Sequence, residues 1–414
     1  MHDTDLYARI LGIQSPWHVE HVELHLEAGE VRVRVGSDRA VLRCPSCAEV
    51  APGYDSRERR WRHLDTCQYR TIVQATVPRV RCQEHGVVQV ALPWAEVGAR
   101  FTALFEALVI DWLQAASVAV VARRLRLSWD EVDGILQRAV ERGLARRQVE
   151  PVSRVGVDET SFQRRHEYVT VVSDLGRDRV LYVADDRREA SLDGFSAGLS
   201  ETQRAELEAV CMDMWRPYIA STRRYVPHAD RKIAFDKFHV ARLLGDAVDR
   251  VRRGEHKRLR VAGDARLAGT RYWWLTNPAR MDAVRWRQFG ALRASALKTA
   301  RAWAIKELAM SLWGYVRRGW AQKAWTRWLG WALRCRLGPM RKVAETIRKY
   351  LWGILNAIML GITNARAEGL NAKIQGIKRR ACGYRSRARF RNAIYFHLGG
   401  LDLYPAALRT HTNV

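Results

Sequence analysis

Three aspartates stand on or directly after short apolar runs that predict β-strands: Asp158, Asp213 and Asp236. A carboxylate beside a buried strand is costly to bury without a partner, so each is either salt-bridged or available to a metal ion. An aspartate that caps a turn at a strand end is the alternative, and for one such residue taken alone it is the more common case. Carboxylate oxygens suit Mg²⁺ or Mn²⁺, so acids that meet in one pocket could share divalent ions.

A second set of residues has the spacing of zinc ligands. Cys44 and Cys47 form a CxxC pair, and Cys82 and His85 form a CxxH pair. Two such pairs brought together by strands supply four ligands for a tetrahedral structural zinc site. His63 and Cys67 lie between the pairs and are rival ligands, and a set of incidental buried thiols is the alternative. Seven cysteines, an odd number in short sets, indicate a reducing compartment rather than a disulfide framework.

The overall charge indicates a polyanionic partner. The 414 residues carry a net charge of +26, with a pI near 10.4, which favours nucleic acid, with an anionic lipid surface as the alternative. No apolar run reaches the roughly 18 residues of a membrane span, and the acidic start lacks the features of a secretory signal. We therefore expect no membrane partner and a cytoplasmic, nucleoid-associated protein.

The elements that must position the cysteines and a DNA partner come first in the chain. Strand-like alternation at residues 19–43 and 71–80 predicts a β-rich zinc-binding domain over residues 1–97. Residues 98–150 predict three helices, the last opened by a capping box at Ser128 and Glu131. This is the pattern of a helix-turn-helix DNA-binding domain, and a helical hairpin that only packs is the alternative. The basic residues of this domain favour DNA: Arg123, Arg124 and Arg126, then Arg142, Arg146 and Arg147.

The elements that must position the aspartates follow from residue 151. Predicted strands at 152–160, 167–174 and 178–184 suit an antiparallel meander, and strands at 208–214 and 231–236, alternating with helices, suit parallel crossovers. This is the order of an RNase H-like α/β core, in which the strands of Asp158 and Asp213 are neighbours. We predict that the core spans residues 151–253 and 356–404, that a Trp-rich all-α insertion spans 254–355, and that 405–414 form a tail. The whole chain is thus predicted to be an α+β multidomain protein.

A fourth acid lies on a late helix. Glu368 sits at the edge of the apolar face formed by Ala367, Leu370, Ile374 and Ile377. Glutamate is common on helices, so a surface role is the alternative, and Glu307 and Glu345 are competitors. Basic residues on and after this helix are well placed to hold a DNA backbone: Lys373, Lys378, Arg379, Arg380 and Arg385.

These motifs together give the chain a resemblance to a known family. The cysteine-pair entry, VGVDETSF from residue 155, CMDMWRPY from 211, FDKFHV from 235, NARAEGLNAKIQGIKRRACGYR from 364 and FRNAIYF from 390 are similar to motifs of ISL3 insertion-sequence transposases. The resemblance implies DDE-type DNA strand transfer with Asp158, Asp213 and Glu368 as the triad that holds Mg²⁺ or Mn²⁺. Asp236 and His239 resemble the accessory D/CxxH motif of related transposases. His85 is a departure, because a cysteine would be usual there.

The resemblance implies an enzyme that binds the terminal inverted repeats of its insertion sequence and double-stranded target DNA. It would cleave and join strands with two metal ions, and we expect a homodimer in the DNA complex. Two alternatives remain open: a zinc and helix-turn-helix regulator with an inactive core, and a structure-specific RNase H-like nuclease.

Overall fold

The structure of the chain is a computed structural model that describes residues 2–38, 41–148, 150–163 and 167–406. Most of the predicted tail, residues 407–414, lies outside the described residues. The chain divides into two compact units. The first comprises Met1–Gln148 with Lys378–Val414, and the second comprises Val149–Ile377.

The first unit opens with a helix and a five-stranded sheet. These elements are α1 (Asp3–Ile10), β1 (Trp17–His25), β2 (Glu30–Ser37), β3 (Gly53–Arg62), β4 (Arg70–Cys82) and β5 (Gly86–Gln89). The strand order is β1-β2-β4-β3, and β5 also pairs with β4. Alternate residues of β2, namely Val31, Val33 and Val35, are buried, as the period-2 pattern of the sequence predicted. The long strand β4 ends at Cys82, so the sheet itself carries one of the predicted zinc ligands.

Three helices follow the sheet: α2 (Ala103–Ala115), α3 (Val118–Leu125) and α4 (Trp129–Arg146). The predicted capping box of α4 is confirmed, because the Glu131 amide donates to Ser128 Oγ at 3.2 Å and the Ser128 amide donates to Glu131 Oε2 at 2.8 Å. Arg126 ends α3 in the left-handed conformation, with φ of 57°, and so makes the tight turn between α3 and α4.

The second unit contains a second five-stranded sheet: β6 (Arg154–Gln163), β7 (Glu167–Asp174), β8 (Arg179–Ala184), β9 (Ala209–Met212) and β10 (Ile233–Phe235). The strand order is β10-β9-β6-β7-β8. Strands β6, β7 and β8 are antiparallel, whereas β9 is parallel to β6 and β10 is parallel to β9. The predicted meander and parallel crossovers are confirmed, and so is the pairing of the Asp158 strand with the strand that precedes Asp213.

Helices alternate with these strands and follow them in the chain. They are α5 (Glu189–Ala197), α6 (Glu201–Glu206), α7 (Arg216–Tyr225), α8 (Ala229–Lys232), α9 (Lys237–Val261), α10 (Arg271–Leu275), α11 (Ala283–Ala294), α12 (Lys298–Ser311), α13 (Arg318–Arg334), α14 (Gly338–Leu360) and α15 (Ala365–Arg380). Gly353 allows α14 to approach β10 closely, because a Cβ at that position would collide with the ring of Phe235. The predicted α+β class with many helices is confirmed.

The predicted insertion, residues 254–355, contains helices and no strand among the described residues. Its tryptophans range from fully buried to exposed. Trp274, Trp325 and Trp328 are fully buried in the core of the second unit, whereas Trp320 is 60% exposed. No described helix is both long enough and apolar enough to cross a membrane.

The last helix, α16 (Arg387–Leu398), lies in the first unit, although the core was predicted to run to residue 404. It packs against α4. Arg389 pairs with Asp130 at 3.1 Å and with Asp133 at 2.9 Å, and its guanidinium lies 4.3 Å from the centre of the Trp129 ring. These contacts explain why the last helix belongs with α4.

Candidate functional site

The register of the second sheet places Asp158, Asp213 and Asp236 side by side. Gly156 on β6 pairs with Cys211 on β9, so Asp158 and Asp213, each two residues further on, reach the same level of adjacent strands. Phe235 on β10 pairs with Met212, which places Asp236 next to Asp213.

The same register decides which face of the sheet carries the acids. Successive side chains of a strand point to opposite faces. Val155, Val157, Met212 and Phe235 pack into the large core on one face, whereas Cys211 and Ala234 pack with Ala367 of α15 on the other. Asp158, Asp213 and Asp236 each come one residue after a side chain of the first set, so their own side chains point to the second face. They therefore lie on the face that α15 covers, and α15 carries Glu368 next to Ala367.

Asp158 is held by two hydrogen bonds. The Glu159 amide donates to Oδ1 and Asn371 Nδ2 donates to Oδ2, both at 2.7 Å. Burial, and then the negative charges of Asp213, Asp236 and Glu368, raise the pKa of Asp158 to about 7. A carboxylate that is costly to ionise alone is one that a bound cation would stabilise.

Asp213 is held by groups from the first turns of α9. His239 Nδ1 lies 2.9 Å from Asp213 Oδ2, and Arg242 Nη2 lies 3.0 Å from the same His239 nitrogen and 3.9 Å from Asp213 Oδ2. Nδ1 donates to Asp213 when it carries a hydrogen and accepts from Arg242 when it does not. The orientation of Asp213 is thereby set by two residues one turn apart on α9.

Both carboxylate oxygens of Asp236 accept hydrogen bonds from main-chain amides. It is the N-cap of α9, where Oδ2 accepts from the His239 amide at 3.1 Å, and Oδ1 accepts from the Asn364 amide at 3.2 Å. Its side chain is buried, and burial raises its pKa. Asp236 therefore joins α9 to the segment just before α15, a structural task that leaves Asp213 as the better ligand candidate of the two.

Glu368 lies in the first turn of α15, and its pKa is raised by partial burial and then by the charges of Asp236 and Asp213. The close approach of its segment to β6 depends on Gly156. A Cβ there would lie 2.7 Å from Asn364 Oδ1 and 2.8 Å from Leu175, so a larger residue would push the start of α15 away from the sheet. The four acids surround Cys211, where burial and then their charges raise the thiol pKa.

The acid cluster fits divalent cations by its chemistry, but its oxygens are not closely grouped. Among the described residues, the group of His, Cys, Asp and Glu ligand atoms found close enough to share one ion is the cysteine–histidine set. The carboxylates of Asp158, Asp213 and Glu368 form no group that tight. Like charges repel, and the contacts of Asp158 with Asn371 and of Asp213 with His239 hold these two carboxylates in their separate places.

The zinc ligands predicted from the sequence meet in the first unit. The ligand atoms of Cys44, Cys47, Cys82 and His85 all lie within 4.8 Å of one another. The separations are 3.7 Å between Cys47 Sγ and Cys82 Sγ, 3.6 Å from Cys82 Sγ to His85 Nδ1 and 3.8 Å from Cys44 Sγ to His85 Nδ1. A tetrahedron with zinc–sulfur bonds of about 2.3 Å has edges of roughly 3.8 Å, so the four residues fit one zinc ion.

The rival ligands stand apart from this set. His63 is buried, its Nδ1 lies 2.9 Å from Thr102 Oγ1, and burial lowers its pKa to about 4. Cys67 is exposed and does not belong to the group. The backbone amides of His85 and Glu84 lower the pKa of the Cys82 thiol, which favours the thiolate that zinc binds.

Comparison with known proteins agrees with this arrangement. The ISL3 family model of DDE transposases, described as "Transposase", matches residues 155–394, which is more than half of the chain. The chain belongs to the ISL3 family of transposases. Two further models match the first unit of the transposase: the helix-turn-helix domain of transposase family ISL3 at residues 90–140, and the zinc-finger of transposase IS204/IS1001/IS1096/IS1165 at residues 40–85.

Two curated relatives are similar along nearly their whole length. The transposase for insertion sequence element IS1557 of Mycobacterium tuberculosis is 28% identical over 421 residues, covering 93% of each chain. The transposase for insertion sequence element IS1001 of Bordetella parapertussis is 27% identical over 387 residues, covering 92% of this chain and 95% of the relative.

The three arginines predicted to bind DNA in the first unit of the transposase are accessible to solvent. Arg123 and Arg124 on α3 are exposed. Arg126 is half exposed and pairs with Asp65 at 2.7 Å. On the late helix and beyond, Lys373, Arg379, Arg380 and Arg385 are exposed and Lys378 is half-buried, its pKa lowered by burial.

Arg142, Arg146 and Arg147, which the sequence analysis counted among the basic residues that favour DNA, make contacts within the first unit. Arg142 is bound to Glu96 and Glu106 and donates to Leu403 O, while Arg146 donates to Tyr404 O and Arg147 to Gly399 O, both at 2.6 Å. These arginines fasten the end of the chain to α4. A run of basic residues in the sequence did not distinguish this internal task from a DNA contact.

Sequence reasoning also missed Asn371 and Arg242, which touch two of the acids directly. A signal was present for each. Asn371 lies three residues after Glu368 and Arg242 three residues after His239, and residues three apart share a helix face.

Proposed function

We propose that this transposase binds the terminal inverted repeats of its insertion sequence and catalyses metal-dependent strand cleavage and strand transfer at the acid cluster. The observation that carries the proposal is the meeting of Asp158, Asp213 and Glu368, separated by up to 210 positions in the sequence, on the α15 face of one sheet. The strand order also supports an RNase H-like core, with α10 to α13 as part of an inserted helical region.

In this proposal Asp158, Asp213 and Glu368 hold two divalent ions, Mg²⁺ or Mn²⁺. Bound there, such ions would activate the attacking oxygen and stabilise the leaving oxygen of an in-line displacement at phosphorus. The chain's own residues do the positioning: Asn371 fixes the Asp158 carboxylate, His239 and Arg242 fix Asp213, and the Asp236 cap holds α9 beside the start of α15.

The bonds that change are those of two phosphodiesters. In cleavage, a water oxygen bonds to phosphorus at the element end, the bond from phosphorus to the 3′ oxygen breaks, and that oxygen leaves as a hydroxyl. In strand transfer, the freed 3′-hydroxyl bonds to a target phosphorus and displaces the target's own 3′ oxygen. In each step the attacking group gives up a proton to solvent, and the leaving 3′ oxygen takes up a proton from solvent.

The remaining parts have supporting roles in this proposal. The zinc site holds the CxxC and CxxH turns together next to the sheet of the first unit, and α3 with α4 serves as a DNA-binding element. Arg123, Arg124 and Arg126 and, on the late helix and beyond, Lys373, Lys378, Arg379, Arg380 and Arg385 bind phosphates of the repeat or of target DNA. Two protomers act together, because two element ends have to be cut.

The test is a cleavage assay on a duplex that carries the end of this insertion sequence, with Mg²⁺, with Mn²⁺ and with a chelator. We expect 3′-end cleavage only with a divalent ion, and Asp158→Asn, Asp213→Asn and Glu368→Gln each to abolish cleavage while DNA binding remains. Glu345→Gln is the matched control, since Glu345 is an exposed acid of α14 and its loss should leave cleavage unchanged.

The two alternatives give different results in the same assay. A regulator with an inactive core binds the ends and cuts nothing under any metal condition. A structure-specific nuclease cuts branched DNA that lacks the element ends. Either result would overturn the proposal.

A further inference from the structure

A cavity of about 890 Å³ opens beside the acid cluster within the second unit. It lies between the first turns of α9, the residues that follow α10 and the end of α12. Sites for small organic ligands span about 300–1,000 Å³, so this cavity is large enough for a nucleotide but not for a duplex.

Two residues join the cavity to the acids. Arg242 lines it, and the same guanidinium lies 3.0 Å from His239 Nδ1 and 3.9 Å from Asp213 Oδ2. Thr363 also lines it and precedes Asn364, whose amide binds Asp236. A ligand in the cavity would therefore lie within a nucleotide's reach of the proposed site of phosphoryl transfer.

Phe238 gives the cavity an aromatic wall. Its side chain is 48% exposed, because it lies off the buried face of α9 formed by Val240, Leu244 and Val248. Among the described residues no other aromatic ring packs against it. Leu275 and Met310 add apolar surface to the same cavity. An exposed ring next to apolar side chains suits the face of a nucleobase, since base–aromatic stacking tolerates any base.

Polar residues complete the lining. Arg242 and Arg280 are exposed cations that suit phosphate oxygens, and the side chains of Asn277, Ser311 and Thr363 can donate to or accept from the edge of a base. The lining also contains Lys237, Lys306, Asp246 and Glu307, so four cationic side chains stand against two carboxylates, and Lys306 pairs with Glu307 at 2.7 Å. An aromatic ring, an excess of cations and neutral hydrogen-bonding groups in one cavity are the combination that an extruded nucleotide requires.

We propose that this cavity receives one unpaired nucleotide of the element-end DNA, with its base on Phe238 and its phosphate on Arg242. This inference rests on the proposed function, since it places that nucleotide next to the scissile phosphate. Extruding it from the duplex would fix the end of the element against the acids.

The test measures binding rather than cleavage, so that its failure is distinguishable from that of the proposed function. Full-length protein carrying Asp158→Asn is titrated with an element-end duplex, and with a series of duplexes that have an abasic site at one position near the cleavage point. The same titrations are then made with a protein that carries Phe238→Ala in addition to Asp158→Asn. On the intact duplex we expect Phe238→Ala to weaken binding about 5- to 150-fold, the range for one lost base stack.

At one abasic position the effect of Phe238→Ala should fall to less than about twofold, because the base that stacked is already absent. Phe238→Trp should restore binding to the intact duplex. Trp320→Ala, an exposed aromatic of α13 that does not line the cavity, is the matched control and should show no dependence on the abasic position.

Four results would overturn the proposal. Phe238→Ala could weaken binding equally at every abasic position or not at all, or Trp320→Ala could show the position dependence instead. Deoxyadenosine monophosphate could also bind the protein without DNA and lose its affinity with Phe238→Ala while the abasic series stays flat, which would assign the cavity to a free nucleotide. Melting curves of each variant show whether it is folded.

Discussion

Asn371 donates a hydrogen bond from Nδ2 to Asp158 Oδ2 across 2.7 Å, although 213 positions separate the two residues. One turn further along α15, Gln375 Nε2 donates to Thr160 Oγ1, also at 2.7 Å. Helix α15 is thus joined to β6 by a ladder of side-chain amides, and Glu368 lies one turn before the first rung. The distance between Asp158 and Glu368 is therefore controlled by side chains that are not acids.

Replacing Asn371 by alanine should slow cleavage about 10- to 100-fold, because an active-site group that is misplaced by about 1 Å can cost that much. DNA binding should remain, since the bond is to an acid rather than to DNA. The measurement is cleavage rate against Mg²⁺ concentration, where we expect a higher metal requirement. Gln375→Ala is the matched control on the next rung. Equal losses for both variants would show that the ladder only docks α15.

The pKa of Asp158 leads to a prediction about stability. The folded chain binds a proton at Asp158 up to about pH 7, whereas the unfolded chain releases it near pH 4. Between these values the folded state holds more protons, so this carboxylate lowers stability as pH rises from about 4 to 7. Asp158→Asn should therefore stabilise the metal-free protein at pH 8 by about 1–3 kcal/mol, after one lost hydrogen bond is allowed for.

Thermal melts of both proteins in a chelator, at pH 4.5 and at pH 8, check this expectation. The difference in melting temperature between Asp158→Asn and the wild type should be large at pH 8 and small at pH 4.5. Mg²⁺ should raise the melting temperature of the wild type and leave that of Asp158→Asn unchanged. A gap that does not vary with pH would contradict the cause that we assign to it.

The topology of the second unit was predictable because its signals are local. Period-2 apolar runs gave the strands, and the helices between the late strands required parallel crossovers. The same was true of the zinc site, where CxxC and CxxH spacing predicted the set of Cys44, Cys47, Cys82 and His85 that the structure brings together.

The roles of the arginines were not predictable in the same way. Arg123 and Arg142 look alike in the sequence, but one faces solvent and the other is bound between Glu96 and Glu106. Their difference depends on partners tens to hundreds of positions away. The same holds for Asp236, which a strand-end pattern could not separate from Asp213. Its two oxygens accept amide hydrogens, and one of these belongs to Asn364, 128 positions on.

Loss of the zinc site should unfold the β-rich part of the first unit, which carries the zinc ligands. Cys47→Ser removes one of four ligands, and structural zinc sites contribute folding free energy directly. We expect the wild type to hold one zinc ion per chain by metal analysis, and the variant to hold less and to melt at a lower temperature. Cys67→Ser is the matched control, because Cys67 lies outside the ligand set. Equal zinc content in wild type and Cys47→Ser would exclude this site.

His239 is expected to act through Asp213. Substitution by alanine removes the imidazole that lies 2.9 Å from Asp213 Oδ2 but keeps the cap of α9, since that bond is donated by the main-chain amide of residue 239. Cleavage should fall about 10- to 100-fold without unfolding. His239→Asn, which keeps a donor near that position, should recover part of the rate. A large drop in the melting temperature of His239→Ala would instead mark His239 as a core residue.

The two sets of arginines in the first unit should respond differently to salt. Each phosphate contact contributes about −0.9 to the slope of log affinity against log salt concentration. Arg123→Gln with Arg124→Gln should therefore make that slope shallower by about 1 to 2 and leave the melting temperature unchanged, because both side chains are exposed. Arg142→Gln should leave the slope unchanged and lower the melting temperature, because it removes one of the two arginines, Arg138 and Arg142, that pair with the buried Glu106 carboxylate. Binding titrations over a range of salt concentrations, paired with thermal melts, separate the two classes, and an unaltered slope in the α3 double variant would place the DNA contacts on another element.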